Sequence, residues 1–343
     1  MRSAPPCQRG VIFPSFAVLG LQFRGGKYAP VAMTNITLPC AAVVCAAFTL
    51  MTQLSAQADT FGTNGNEFTI DFVNIGNAGN AADTTTYGAV PYEYRVGTYE
   101  ITQDAITKAT ASGMSNVTAG PWTGNQPAAT INWYEAAAFV NFLNTNSAKT
   151  AAYDLAWDGS AWSMNLWSSG QAWTAGGTNL YRNKDAFYFL PNENEWYKAA
   201  YYNAGGTNYF LYPTASSSVP TAVASGTNAE TVVYNNIAAV PAIVDSAGGL
   251  SLYGTMGQGG NVFEWNESAL DGTNSSSSEN RAMRGGEWAN AAGPLRSSSR
   301  YNSDPTTEQN LIGFRVASVP EPSTYALLLM AGAGALWFAR RRR

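Results

Sequence analysis

Apolar and polar residues alternate from Glu67 to Ile75, EFTIDFVNI, which sets Phe68, Ile70 and Phe72 on one face and predicts a half-buried strand. Tyr94 to Thr102, YRVGTYEIT, predicts a second strand. Gln103 to Ala111 predicts a short amphipathic helix, ended by the Ser and Gly that follow. A stronger helical signal opens at Asn132, a capping residue with Glu135 three positions on, after which Ala136, Phe139, Val140 and Leu143 share a face. Asn192 and Glu195 repeat the device just after Pro191 and open a helix that turns Trp196, Ala199 and Ala200 inward. Both helices read as structural.

Between Tyr153 and Arg182, Trp157, Trp162, Trp167 and Trp173 are set among Gly, Ser and Asn, with turn signals too frequent for a helix. This predicts a meandering hairpin whose indoles pack against the domain, with stacking on sugar rings as the alternative use. From Gly205 to Gly249 the composition turns to Ser, Thr, Ala and Gly and predicts long irregular connections. No internal repeat interrupts the pattern, so the expectation for 343 residues is one folded domain with flanking segments.

Each of those segments contains a long uncharged run. The stretch from Thr37 to Ala58 ends in Ala56-Gln57-Ala58 and predicts a cleaved signal peptide, with a membrane anchor as the alternative. Met33 stands where such a peptide would begin, so residues 1–58 are read as leader with Met33 as the true start. At the other end, 18 uncharged residues separate Glu321 from Arg340, enough to span a bilayer with Arg340, Arg341, Arg342 and Arg343 on the cytoplasmic side. The order Pro320-Glu321-Pro322, a small-residue-rich apolar stretch and a basic end resembles the PEP-CTERM sorting signal of Gram-negative bacteria. That resemblance implies recognition by an exosortase-type enzyme, removal of the tail and delivery to the outer surface of an envelope rich in exopolysaccharide. A plain tail anchor is the alternative. The expected organisation is therefore leader 1–58, domain 59–318 and sorting segment 319–343.

Composition narrows the chemistry. Aromatics make up 13% of the chain and charged residues 12%, so a large core must be covered mainly by Asn, Ser, Thr and Gly, the look of an extracellular protein. Without its flanking segments the chain keeps 22 acidic and 11 basic residues, a surface that repels nucleic acid. Histidine is absent, which removes the commonest general base and zinc ligand together with every Ser-His or Cys-His pair. Cys7, Cys40 and Cys45 all fall in the leader, so the mature chain is expected to carry no thiol.

Several motifs in order then resemble one family. They are VGTYEIT from Val96, INWYEAAAFVNFLN from Ile131, FYFLPNENEWYKAAYY from Phe187, YGTMGQGGNVFEWNE from Tyr253, RAMRGGEW from Arg281, LRSSSR from Leu295 and IGFRVAS ending at Ser318. Over about residues 67–318 the chain resembles the formylglycine-generating-enzyme-like, or sulfatase-modifying-factor, domain. The resemblance implies an irregular, loop-rich α+β fold related to C-type lectins. Gly285-Gly286 reads as a kink or close backbone approach. Arg284, Arg296, Arg300 and Arg315, near Glu287, Asp304 and Glu308 in sequence, read as partners in partly buried ion pairs and carbonyl forks, with anion or ligand contacts as the alternative.

Family enzymes use two cysteines after the RGG-x-W segment to hold copper and oxidise a substrate cysteine to formylglycine. The matching positions here are Asn290 and Leu295, which cannot replace thiolates, so no copper is expected. The iron-dependent sulfoxide synthases of a related branch need histidine ligands. Calcium is the metal the resemblance still implies, at Gly260, Val262 and Glu264 and at a second site with Asn236 and Ile237, although a further ligand position falls on Gly257; the alternative is that Glu264 caps or pairs locally with no ion. The expectation is an exported, non-catalytic binding or structural module touching envelope polysaccharide or protein. The alternative is a formylglycine-generating or other oxidoreductase acting on an exported protein, using carboxylates such as Glu193, Glu195, Glu264 or Glu287.

Overall fold

The computed structural model describes residues 57–320; Met33, the three cysteines and the tail from Glu321 lie outside the described residues. The chain opens with β1 (Gln57–Phe61), which pairs antiparallel with β2 (Phe68–Ile75), and β2 pairs with β3 (Tyr94–Gly97). Phe68, Ile70 and Phe72 are buried, as the alternation requires. The second strand is shorter than its pattern. After Gly97 the backbone leaves the sheet, and Thr102 becomes the cap of α1 (Gln103–Ala111), its hydroxyl accepting from the Ala105 N–H at 3.0 Å.

Helix α2 (Trp133–Asn146) and helix α3 (Glu193–Tyr201) both carry full capping boxes, closed by Asn132 with Glu135 and by Asn192 with Glu195. The sequence implies one apolar face on α2, but nearly the whole helix is buried, Tyr134, Glu135 and Asn144 included. Asn144 works as a piece of strand edge: its side chain accepts from the Phe187 and Tyr188 N–H groups and donates to the Tyr188 carbonyl at 2.8 Å.

The tryptophan-rich region forms two hairpins, β4 (Asp154–Trp157) with β5 (Trp162–Asn165) and β6 (Ala172–Trp173) with β7 (Asn179–Asn183). The short β8 (Tyr188–Phe189) follows. The Ser- and Gly-rich stretch after α3 holds only β9 (Thr221–Ala222), β10 (Thr231–Val232) and a 3₁₀ turn at Val244–Ser246. Last come β11 (Phe263–Ala269), β12 (Arg281–Arg284), β13 (Tyr301–Ser303), β14 (Ile312–Gly313) and β15 (Ala317–Ser318).

Two sheets organise these strands. One runs β1-β2-β3-β15-β8 and the other β13-β12-β11-β14. The main core joins α2, the inner face of β2 and residues of the second sheet, with Trp133, Trp265, Phe139 and Phe314 fully buried. Each such side chain contributes on the order of 3 kcal/mol of apolar burial. Gly285 and Gly286 have φ of +99° and +76°, and a Cβ on Gly285 would lie 2.9 Å from the Gln258 carbonyl oxygen, so the close approach is present.

Candidate functional site

The segment after β12 is where family enzymes would keep their two cysteines. Asn290 and Leu295, the positions the resemblance matches to those cysteines, both flank Gly286: a Cβ there would lie 3.4 Å from Asn290 Oδ1 and 3.1 Å from Leu295 Cδ2. Asn290 donates its amide to Glu287 and accepts the Glu287 N–H at 3.2 Å, while the other Glu287 oxygen accepts the Ala289 N–H. Leu295 is wholly buried against Tyr212, Val232 and Tyr234. An amide and an isobutyl group offer no soft donor, and the residues present do not fit copper.

The GGNVFEW turn was implied to hold calcium. Its Glu264 carboxylate is fully buried and accepts from Arg315 Nε and Nη2, both at 2.6 Å, and from the Trp196 indole at 2.7 Å. The rest of the Arg315 guanidinium donates to the carbonyls of Gly97, Thr98 and Met256. Calcium would have to displace this guanidinium to reach Glu264. Gly257 has φ of +76°, and a Cβ there would collide with the Glu100 carboxyl. Glu100 is 2% exposed; it accepts from Asn261 Nδ2 at 3.0 Å through one oxygen, and its other oxygen has no partner. Burial, reinforced by the nearby Glu264 charge and opposed by Arg315, pushes its pKa up to about 8. Asn236 has a left-handed conformation with its N–H on the carbonyl of Trp288, whose own N–H bonds the Asn261 carbonyl in this turn, and Ile237 is exposed. Among the described residues no three acidic side chains converge as a metal site.

Three of the four arginines are ion-paired, but with partners other than those close in sequence. Arg284 and Arg300 both hold Glu193, at 2.8 and 2.7 Å, and Arg315 holds Glu264. Arg296 lies 6.0 Å from the Tyr212 ring, Asp304 accepts from Thr306 in its own turn, and Glu308 accepts from Asn132. Sequence reasoning passed over Arg182, a fully buried guanidinium clasped by Glu195 and Glu267 and lying 3.7 Å over the Phe189 ring. Its partners are residues 13 and 85 positions away, so only the absence of any apolar role for an Arg between Tyr181 and Asn183 could have flagged it.

The most open aromatic feature is the first hairpin. Trp157 and Trp162 oppose each other as its last pair, with ring centroids 5.3 Å apart at 59°, and Trp157 is 39% exposed. Trp167 and Trp173 are more enclosed: the Trp167 indole donates to the Ala152 carbonyl, and Trp173 packs on Tyr92 and Phe189. Packing therefore accounts for the second hairpin and not for Trp157.

Residues 44–319 match the profile of the sulfatase-modifying factor enzyme 1-like domain, and the chain belongs to that family. Residues 318–343 match the PEP-CTERM protein-sorting motif, which marks an exported protein sorted to the cell surface by an exosortase-type system. None of the curated proteins matches the chain in sequence. Among solved structures, Treponema denticola variable protein 1 is 22% identical and superposes with a TM-score of 0.53, covering 78% of this chain and 100% of its own. One described as CarF is 20% identical, with a TM-score of 0.53 over 74% of this chain and 99% of its own. Both likenesses concern the fold, which is the loop-rich α+β architecture related to C-type lectins. Among the described residues no helix is long and apolar enough to cross a membrane; the span expected between Glu321 and Arg340 lies outside them.

Proposed function

We propose that the protein is a non-catalytic member of its family, displayed on the outer cell surface as a binding or structural module of the exopolysaccharide-rich envelope. What supports this reading is that Asn290 and Leu295, which the motif order matches to the cysteine positions, are engaged in a side-chain bond and an apolar cluster. The carboxylates available for other chemistry are likewise engaged: Glu193 by two arginines, Glu195 by Arg182, Glu264 by Arg315 and Glu287 by its own loop. In this reading Arg315 supplies the positive charge that calcium would bring to the GGNVFEW turn. An N-terminal signal peptide brings the domain across the inner membrane, the C-terminal segment holds it there, and an exosortase-type enzyme removes that segment.

The test is direct. Full-length protein incubated with copper, a thiol reductant, oxygen and a sulfatase peptide bearing the target cysteine should leave the thiol intact by mass spectrometry. A formylglycine product would replace this reading with the oxidoreductase one.

A further inference from the structure

The open face of the first hairpin borders a groove of about 410 Å³, a volume within the usual range for small-molecule and oligomer subsites. Trp157 and Trp162 line it together with Asn132 and Glu135 at the N-terminal end of α2 and with Thr118 and Glu308, which bond those two residues. The Trp162 indole N–H donates to the Asn116 carbonyl at 2.7 Å, which holds that ring in place, whereas the Trp157 ring is fixed only by its neighbour and by the strand. The turn between them is rigid as well: the Asp158 carboxylate accepts the Ser160 and Ala161 N–H groups, both at 2.8 Å. An exposed indole is thus presented on a stiff support, at low entropic cost for a ligand that stacks on it.

The polar lining has the character of a hydroxyl-binding surface. Glu135 is buried, and each of its oxygens already accepts a backbone N–H, from Thr118 and from Asn132, both at 3.0 Å. Glu308 Oε1 accepts the Asn132 side-chain amide at 2.9 Å and Glu308 itself is exposed. The remaining lining, Asn116, Tyr134, Ser160, Ala161 and Thr306, adds amide, hydroxyl and small apolar surface, and no Lys or Arg lines the groove. Carboxylates and amides without cations suit ligands rich in neutral O–H donors and disfavour uronates, sulfates and phosphates.

We propose that this groove binds a neutral polysaccharide segment, with the C–H face of a pyranose on the Trp157 indole and its hydroxyls on Glu308 and the neighbouring amides. The proposal rests on the binding-module reading and names its ligand and its site. A basic peptide would also meet an indole and carboxylates. The backbone bonds that already engage Glu135 and the neutral rim favour the sugar.

Full-length protein would be titrated with gluco-, manno- and galacto-hexaoses, with hexagalacturonate and with hexalysine, following tryptophan fluorescence and binding heat. At least one neutral hexaose should bind saturably, hexagalacturonate and hexalysine should not, and Trp157→Ala should weaken the sugar about tenfold, the loss expected for one aromatic contact. Trp157→Phe should recover part of that loss, and both variants should keep a cooperative melt, lowered by no more than a few degrees because only the edge pair with Trp162 is lost. Binding of hexalysine or hexagalacturonate in place of neutral sugars, or unchanged affinity in Trp157→Ala, overturns the groove assignment. Retention of purified envelope polysaccharide by native protein and by Trp157→Ala alike would remove the groove and leave the binding module standing. No retention by either, with no hexaose bound, would remove both.

Discussion

Glu100 shows how a single missing side chain reshapes a buried site. Gly257 has no Cβ, and the Glu100 carboxyl occupies the space beside it, with one oxygen bonded to Asn261 and the other without a partner. The facing charged groups are Glu264 and Arg315. Its folded pKa is raised from the ordinary 4.5 to about 8, so between those values the unfolded chain releases a proton that the folded chain keeps. The Glu100 contribution to stability is therefore full below about pH 4.5 and declines as pH rises toward 8. Denaturant midpoints should fall across that window in the native protein, and the fall should be markedly smaller in Glu100→Gln. An equal fall in both would assign the slope to other groups. The same cluster bears on calcium. With Glu264 held by Arg315, thermal melts with excess calcium and with a chelator should coincide. Removing the guanidinium in Arg315→Met should cost roughly 3 kcal/mol or more, because a buried carboxylate loses its counter-charge.

At the scale of elements, local chemistry explains what the sequence makes legible. The two Asn-x-x-Glu boxes close as their spacing demands, because the capping bonds join residues three apart and need no tertiary information. Alternation in β2 is equally local. The extent of β3 is not, since its end is decided by the start of α1, and neither are the ion pairs, whose partners lie up to 107 residues apart. The candidate site divides the same way: Asn290 and Leu295 lie within nine residues of Gly286 and flank it in space, whereas Glu308 reaches Asn132 across 176 residues and carries no signal of it. The caps also differ in what hangs from them. Asn132→Ala should destabilise by about 1 kcal/mol, an ordinary cap loss. Asn192→Ala should cost more, because its box partner Glu195 also holds Arg182 and accepts from Tyr92 at 2.6 Å, so a displaced Glu195 disturbs a buried network. Urea denaturation of the two variants compares the costs directly, and equal losses would show that Glu195 keeps its place without the cap.

At the scale of the molecule, the two ends of the domain meet in one sheet. Strand β1 is joined to β15 through β2 and β3, and Arg95 ties them laterally: its guanidinium pairs with Asp59 at 2.6 Å and donates to the Ser318 hydroxyl at 2.8 Å. Tyr188 adds its hydroxyl to Asp59 at 2.9 Å. Cleavage after Ala58 would remove only the first two residues of β1. It would leave Asp59 on Arg95, Thr60 opposite Thr69 and the buried Phe61 opposite Phe68. Trimming at the other end, beyond Ser318, would spare the last ladder pair, in which Ser318 faces Arg95 and Tyr188. Both proposed cleavage points thus sit at the edge of what the sheet holds, and cuts there would be compatible with an intact fold. The intact mass of the protein recovered from its native envelope should accordingly correspond to a chain that begins at Asp59 and lacks the arginine-ended tail. A start several residues later would break the Asp59–Arg95 pair and contradict the proposed leader boundary. A retained Arg343 would turn the sorting segment into a permanent anchor.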